Sequence, residues 1–370
     1  MNGDPLRCLH VLSGDGWAGA EVSAFHLITE LNRRPGVRIE AAVLNPGELY
    51  DRLRDRGVAV QLFDETRNGT RALIRRLVRT LSESQTQLVH SHRYKEHLIS
   101  AVASRRCGVF HLRSSHGRPP GLSFNGRVHG LAAWIDRVVA RWAGSDWIAV
   151  SEDLATEIAG PRSRVTVVPN GIPLEAPAPD RATLEAAFGA GPAWWIGFVG
   201  RFEAVKRPDR FVRLIAALPE SVGGRQVRGV MLGDGLLFEQ TANQIAAAGL
   251  TERISLAGHR NDAERLIASL DLLILPSDHE GDPMVLLEAM RARVPVVASR
   301  VGSLCLLGDL PWIPPRGDEK ALADAVHTLL TSDEERREWA QALYERFLQR
   351  GSIVTCADRV LELYRGSCAG

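Results

Sequence analysis

Leu275-Pro276-Ser277-Asp278-His279-Glu280-Gly281-Asp282-Pro283-Met284-Val285-Leu286-Leu287-Glu288-Ala289-Met290 is the stretch on which the reading of this chain turns. The apolar run Leu272 to Leu275 stops at Pro276, as a buried strand would. A helix then opens with Asp282 as N-cap and Pro283 in the first helical position, where a missing N–H costs nothing. The backbone N–H groups of residues 282–285 are left free to hold an anion. Glu280 stands just before the helix and Glu288 about five residues into it, ~7–8 Å along the axis at 1.5 Å per residue. Carboxylates so placed can each accept hydrogen bonds from sugar-like hydroxyls. Capping plus one solvated helical carboxylate is the plainer account of the same residues. A third account makes Asp278, Glu280 and Asp282 hard oxygen ligands for Mg²⁺ or Mn²⁺.

Outward from this stretch the chain alternates. Apolar strand runs at Arg7 to Ser13, Arg38 to Leu44, Gln87 to His90, Trp147 to Val150 and Val165 to Val168 are interleaved with helical patterns such as Ala20 to Leu31. Residues 171–192 break the rhythm with clustered prolines and a Gly-Ala-Gly-Pro end, around one short helix at Arg181 to Phe188. The alternation restarts with strands at Trp194 to Val199, Gly229 to Leu232, Ile254 to Ala257, Leu272 to Leu275 and Pro295 to Ala298, and ends in helices from Lys320. Alternation of this kind predicts an α/β protein of two doubly wound parallel-sheet halves joined by a linker. Ligands of such sheets bind outside the carboxyl ends of the strands, so the expected site is a cleft between the halves.

Two further loops stand at strand ends. Gly14-Asp15-Gly16-Trp17-Ala18-Gly19 matches G-x-G-x-x-G between a strand and a helix, a pattern that admits a diphosphate, a dinucleotide or no ligand at all. The dinucleotide reading wants an acid at the end of the second strand, where Asn45 sits. Gly200-Arg201-Phe202-Glu203-Ala204-Val205-Lys206 offers a planar guanidinium fork and a compact ammonium, which together would neutralise a diphosphate without metal. Surface charge beside a turn is the plain alternative.

Composition limits the classes of function. The 370 residues carry 45 Lys+Arg against 44 Asp+Glu, which argues against a dedicated nucleic-acid binder. No apolar run reaches the ~18–20 residues of a membrane span, and residues 1–7 do not read as a secretory signal. Five cysteines without a Cys-x-x-Cys fit a reducing cytosol. The charge is uneven: residues 71–141 hold 13 basic against 3 acidic side chains, which points to an anionic partner or to a solvated basic face. Helical patterns at 71–81 (Leu73, Ile74, Leu77, Val78, Leu81) and 131–142 (Leu131, Trp134, Ile135, Val138, Val139, Trp142) are amphipathic. Each either faces the core or lies on an anionic lipid surface. His116 ends a presumed strand. His90, His92 and His97 cluster without zinc spacing and read as strand-end and helix residues.

With these residues in view, the sequence resembles the retaining glycosyltransferases of family 4 (glycosyl transferases group 1), which have the two-Rossmann-domain GT-B fold. Glu280-Gly-x-Pro, Glu288-Ala-Met and Pro295-Val-Val-Ala carry the resemblance. So do, in order, Gly19-Ala-Glu, Val89-His-Ser-His, Ser115-His-Gly, Ala149-Val-Ser, Pro169-Asn-Gly-Ile, Gly200-Arg with Lys206, and Gly233-Asp-Gly. The resemblance implies an acceptor-side domain over 1–175, a donor domain over 190–350 and a last helix within 351–370 crossing back to the first. It implies transfer from a UDP- or GDP-type sugar to a glycan or lipid-linked acceptor in cell-surface polysaccharide, lipopolysaccharide or glycolipid assembly, with no metal cofactor and no nucleic-acid partner. The setting would be cytoplasmic, with the basic residues of 71–141 holding the protein to the inner membrane face.

By the same resemblance Arg201, Lys206, Glu280 and His116 serve catalysis. Gly16, Gly19, Gly200, Gly258, Arg260, Gly281, Asp282, Pro283, Met284, Val285 and Glu288 hold the donor: the glycines and the helix tip its diphosphate, Glu288 the ribose, Glu280 the sugar, and backbone at 258–260 the base. Three features depart from the pattern: Asp282 replaces an apolar residue, Arg291 to Val294 replaces a stretch with a small residue and glycine, and Leu306 stands where an acid is usual. A nucleotide-sugar epimerase of the same fold and a noncatalytic nucleotide-sugar binder remain as alternatives.

Overall fold

A computed structural model describes residues 4–117, 138–159, 164–189, 193–307 and 310–368, with only the backbone of residues 305 and 306. The chain divides into a unit of Met1–Pro173 with Gly351–Gly370 and a unit of Leu174–Arg350.

In the first unit seven parallel strands are ordered β3-β2-β1-β4-β5-β6-β7: β1 (Leu6–Leu12), β2 (Val37–Val43), β3 (Ala59–Leu62), β4 (Leu88–Ser91), β5 (Phe110–Ser115), β6 (Asp146–Ala149) and β7 (Val165–Val167). Helices α1 (Gly19–Asn32), α2 (Glu48–Asp55), α3 (Thr70–Glu83) and α4 (Tyr94–Cys107) make crossovers between the first five strands. Strands such as Ala41-Ala42-Val43 are covered on both sides, hence their unbroken apolar sequence. The final helix, Ile353–Cys368, belongs to this unit. Its buried residues Ile353, Cys356, Ala357, Val360, Leu361 and Tyr364 recur at helical spacing and join the core of Cys8, Phe25, Ile28 and Leu31.

In the second unit the sheet is ordered β11-β10-β8-β12-β13, with the two-residue strand β9 (Ser221–Val222) antiparallel to β10. Its strands are β8 (Ala193–Val199), β10 (Arg225–Leu232), β11 (Ile254–Gly258), β12 (Leu272–Leu275) and β13 (Val296–Ala298). Both sheets thus run outward in one direction from their first strand and then reverse, so each has a switch point: β1/β4 in one, β8/β12 in the other. The helices that follow the two strands at a switch point diverge, and the loops between them are left uncovered.

One expectation needs correction. The helix after β12 is Met284–Arg291, with Pro283 rather than Asp282 at its N-cap. Proline has no N–H to offer, so the anion-holding group starts one residue later than the sequence implied. Of the two readings of 71–81 the core-facing one holds: Leu73, Leu77 and Leu81 are buried in the core with Ile74 and Val78 packed against them, while Arg71, Arg75, Arg76 and Arg79 are exposed. Of the second amphipathic stretch, Leu131, Trp134 and Ile135 lie outside the described residues, whereas Val138 and Trp142 are exposed. The side chain of Leu306 also lies outside them. No described helix is long and apolar enough to cross a membrane. Among described residues Cys8, Cys107, Cys356 and Cys368 are free thiols.

Arg293, one of the departures, adopts φ 56°, the left-handed conformation that favours glycine, and its guanidinium lies 4.2 Å from the centre of the Tyr344 ring. Strain of ~1–2 kcal/mol at a non-glycine left-handed residue is partly offset by a cation–π contact of ~0.5–1 kcal/mol at an exposed site. Arg293→Gly is therefore expected to stay within ~1 kcal/mol of wild type in urea unfolding, because relief of strain is set against the lost contact and a looser unfolded chain. Arg293→Val, which keeps the strain and loses the contact, should cost ~1 kcal/mol or more by the same measurement.

Candidate functional site

At the β8/β12 switch point the sequence-distant residues Lys206 and Glu280 meet. Lys206 ends a single 3₁₀ turn, Ala204–Lys206, in the loop after β8; Glu280 lies in the loop after β12. Lys206 Nζ donates to Glu280 Oε1 at 2.8 Å and Oε2 at 2.7 Å, and Ser277 Oγ donates to Oε1 at 2.7 Å. The carboxylate is almost fully buried, with 4% of its side chain exposed, while Lys206 keeps 21%. One face of the pair is therefore open to a ligand. Behind Glu280, Gly302 holds φ 54°, and a Cβ there would fall 1.7 Å from the Glu280 carbonyl oxygen. Any larger residue at 302 would displace this loop.

The loop is fixed from the other side by arginines. Arg207 and Arg210 donate to opposite oxygens of Asp278 at 3.0 and 2.7 Å, and Arg210 also donates to the Pro276 carbonyl at 3.0 Å. Burial pushes the Asp278 carboxyl up, but these hydrogen bonds hold it below its ordinary value. Asp278 and Glu280 are thus occupied by cations, which removes two of the three ligands of the Mg²⁺ or Mn²⁺ reading.

Arg201 behaves differently from Lys206. Its side chain is 63% exposed and pairs with Glu203 at 2.8 Å. Gly200 follows β8 directly, and Gly258 closes β11 with its Cβ position empty. Arg260 is turned onto Asp262 by two hydrogen bonds of 2.8 and 2.7 Å. Gly281, Asp282 and Val285 are partly exposed around the helix tip, whereas Pro283 and Met284 are buried. Glu288 sits on the fifth residue of that helix. Burial and then repulsion from Glu264 raise its carboxyl to about 7, against the pull of Arg291. Arg291 itself pairs with Glu264 at 2.7 Å, joining two neighbouring helices. This departure therefore has a structural role.

At the β1/β4 switch point the loops carry Gly16 and Gly19, both exposed, and nothing stands within 4 Å of a Cβ at Gly16. The constrained glycine of the motif is Gly14, whose φ of 78° and 2.4 Å approach to Val43 exclude a side chain. Asn45, at the position where a dinucleotide fold would want an acid, donates to the Ser13 carbonyl at 3.3 Å and to Glu65 at 2.9 Å. It secures the loop. A small pocket is lined by Leu12, Ser13, Ala20, Glu21, His92 and Arg93. Arg93 closes one side through Asp15 at 2.8 Å and buried Glu21 at 3.0 Å. Burial raises the Glu21 carboxyl, and Arg93 opposes it.

His116 reaches the same region: its Nε2 lies 3.3 Å from Nδ1 of His92. His90 lies in β4 and His92 just after it, as the sequence implied. With His10 they bring ring nitrogens within 4.8 Å of one another. Arg93, Glu21, His10 and Tyr364 are the participants that sequence reasoning missed. His10 gave no signal of this, because only the strand order, which makes β1 and β4 sheet neighbours, pairs His10 with His90.

Comparison with known proteins agrees with both halves. "Glycosyl transferases group 1" matches residues 185–346 and "Glycosyltransferase Family 4" matches residues 17–176. A D-inositol 3-phosphate glycosyltransferase of Nocardia farcinica is 28% identical over 344 residues, 87% of this chain and 70% of that protein. A UDP-Gal:alpha-D-GlcNAc-diphosphoundecaprenol alpha-1,3-galactosyltransferase of Escherichia coli is 27% identical over 62% of each chain. Among solved structures, Anabaena Alr3699/HepE in complex with UDP-glucose is similar with a TM-score of 0.83 and 22% identity, over 97% of this chain and 99% of the other.

The buried imidazoles make stability depend on pH. Burial lowers His10 to about 3 and His116 to about 4, and holds His90, His92, His97 and His111 well below the ordinary 6.5. A ring kept neutral by the fold contributes fully above pH 6.5, and the contribution is lost as the pH falls towards its folded value. Glu21, Glu96 and Glu288 are raised and act in the opposite sense, but these three carboxyls are outnumbered by the six rings. Urea midpoints should therefore fall steadily from pH ~7 to pH ~4.5, each ring contributing at most ~1.4 kcal/mol per pH unit. A flat or rising midpoint across that window would contradict the buried, neutral state of the cluster.

Proposed function

Because this chain belongs to the group 1 and family 4 glycosyltransferases and has their GT-B fold, we propose that it transfers a sugar from a nucleotide-diphosphate donor to a glycan or lipid-linked acceptor, with retention and without metal. The observation that carries this reading is the Lys206–Glu280 pair, buried on one side and open on the other at the β8/β12 switch point. A donor needs two different contacts at one place. Its leaving diphosphate needs a fixed cation, and its sugar needs a hydroxyl acceptor. Lys206 supplies the first and Glu280 the second, and pairing keeps both oriented before the donor arrives. Arg201, exposed and paired with Glu203, adds a second positive charge from the same loop. In the reaction the anomeric C–O bond to phosphate breaks, the acceptor oxygen bonds to that carbon, and its proton leaves with the diphosphate or to solvent.

The donor class is supported by solved relatives bound to UDP and UDP-glucose. A lipid-linked acceptor is supported by the name of the Escherichia coli relative, which acts on a diphosphoundecaprenol substrate. The exposed arginines of α3, with Arg105 and Arg106 on the adjacent α4, make a basic face suited to an anionic membrane surface.

Lys206→Gln and Glu280→Gln each keep a hydrogen-bonding group across the pair and so should fold. Each is expected to reduce kcat/KM for nucleotide-sugar turnover ~10²-fold or more, the usual loss when a charge-stabilising contact is removed. Turnover in a nucleotide-sugar panel should survive chelator. Variants within ~3-fold of wild type would sink the assignment of the pair. Replacing Arg71, Arg75, Arg76 and Arg79 together by Ala should abolish salt-sensitive co-sedimentation with anionic vesicles. If the wild type binds neutral and anionic vesicles alike, the membrane reading fails.

A further inference from the structure

Glu280 stands in an irregular loop and Lys206 at the end of a single 3₁₀ turn, so neither is held by a regular element. A flexible lysine stem also loses rotamer freedom when its ammonium is fixed. Something else must set the two loops against each other. One link is in the backbone. The Asp278 N–H donates to the Val205 carbonyl at 2.8 Å, joining the residue before Lys206 to the residue two before Glu280. The other is the Asp278 carboxylate. Arg207 Nη1 donates to its Oδ2 at 3.0 Å and Arg210 Nη1 to its Oδ1 at 2.7 Å, so each oxygen is taken by a different arginine and the carboxylate is held in one orientation.

The two arginines differ in what stands behind them. Arg207 belongs to the loop and lies in the left-handed region, with φ 55° and ψ 53°, which strains a residue that has a Cβ. Its side chain goes to Asp278 and Asp209, while that of its neighbour Lys206 goes to Glu280. Arg210 belongs to the helix Pro208–Ala217, whose Phe211, Val212, Leu214 and Ile215 are buried. Only 9% of its side chain is exposed, and it also donates to the Pro276 carbonyl at 3.0 Å. Its Nε lies 3.6 Å from Glu319, in the first turn of the helix Glu319–Thr331. Arg213, one turn on from Arg210, reaches Glu319 at 2.7 Å and Asp209 at 2.9 Å. Arg210 is thus the partner of Asp278 that is anchored in a rigid element. A buried guanidinium needs a carboxylate partner to offset its desolvation, so Arg210 and Asp278 fix each other, and with them the end of β12, the loop after it and the helix Pro208–Ala217.

We propose that Arg210 and Asp278 are positioning residues that lock the loop after β12 onto the loop after β8, so that Glu280 meets Lys206 at a fixed distance before a donor arrives. The consequence for turnover rests on the function proposed above; the locking does not. The rival account is that these ion pairs serve stability alone. The two accounts differ in what happens once the Lys206–Glu280 pair is broken. A purely stabilising contact acts equally with and without that pair. A positioning contact has nothing left to position.

The test is a double-mutant cycle on the full chain, read as UDP release from UDP-glucose. Arg210→Met and Asp278→Asn are each expected to lower kcat/KM ~10-fold in the wild-type background, since misplacing a reacting contact is costly. In the Lys206→Gln background each should change it less than about twofold. Equal losses in the two backgrounds overturn the proposal, as does a folded variant that keeps wild-type turnover. The locking is read separately by hydrogen exchange. Residues 277–282, which include the Asp278 amide, should exchange ~10-fold faster in either variant, while 211–217 of the adjoining helix stays as in wild type. Unchanged protection of 277–282 in a variant that folds overturns the proposal whether or not any nucleotide sugar is turned over. Asp278 is half-buried and Asp278→Asn keeps one acceptor oxygen, so that variant decides if Arg210→Met does not fold. The expected exchange pattern in a protein that releases no nucleotide from any nucleotide sugar refutes the functional reading alone.

Discussion

Reversal of strand order at the first strand of each sheet is the constraint on which the rest depends. A parallel strand must be followed by a crossover, and right-handed crossovers leaving β1 and β4, or β8 and β12, carry their helices to opposite faces. The loops between them cannot be covered by either helix. What the sequence places there stays accessible, however apolar the strands beneath. The second unit places a lysine and a carboxylate at this point, and the first an arginine and a row of imidazoles.

The Lys206–Glu280 pair shows what that accessibility costs. A carboxylate as buried as Glu280 without a partner would be destabilising by several kcal/mol, so the pair must form before any ligand does. The loop is correspondingly over-fixed: Ser277 holds the carboxylate, Arg207 and Arg210 hold Asp278, and Gly302 lets another backbone segment close against the Glu280 carbonyl. This is a site organised in advance, whose charges need not reorient when a charged group arrives. The exposed Arg201 lacks that support.

Much of the architecture was legible because periodicity and punctuation agree: apolar runs ending at Gly or Pro mark the strands, and the proline-rich segment 171–192 interrupts them. Short strands such as Ala59–Leu62 were not, since one exposed and three half-buried residues carry no distinctive pattern. The helix start after β12 was misread by one residue because an Asp-Pro pair satisfies the capping rule whether or not the tertiary structure uses it. The carboxylates and cations of the second unit were visible through their place in strand-end loops. That Lys206 and Glu280 touch was not, because contact across 74 residues depends on sheet order. Tyr364 was further out of reach: an apolar-face position on a core helix gives no hint that its hydroxyl bridges two buried rings.

The two switch points hold polar groups in opposite ways. In the second unit the groups are charged and paired. In the first, burial keeps His10, His90 and His92 neutral, with hydrogen bonds linking one ring to the next. Charged groups fix orientation through strong, local bonds, and each pair stands by itself. Neutral imidazoles give weaker bonds, but every ring depends on its neighbour's proton, so the arrangement behaves as a unit and extends from the final helix to His116. A ligand meeting Lys206 and Glu280 meets a preset field. The final helix therefore contributes more than the burial of its apolar face, because the Tyr364 hydroxyl bridges the buried rings of His10 and His90.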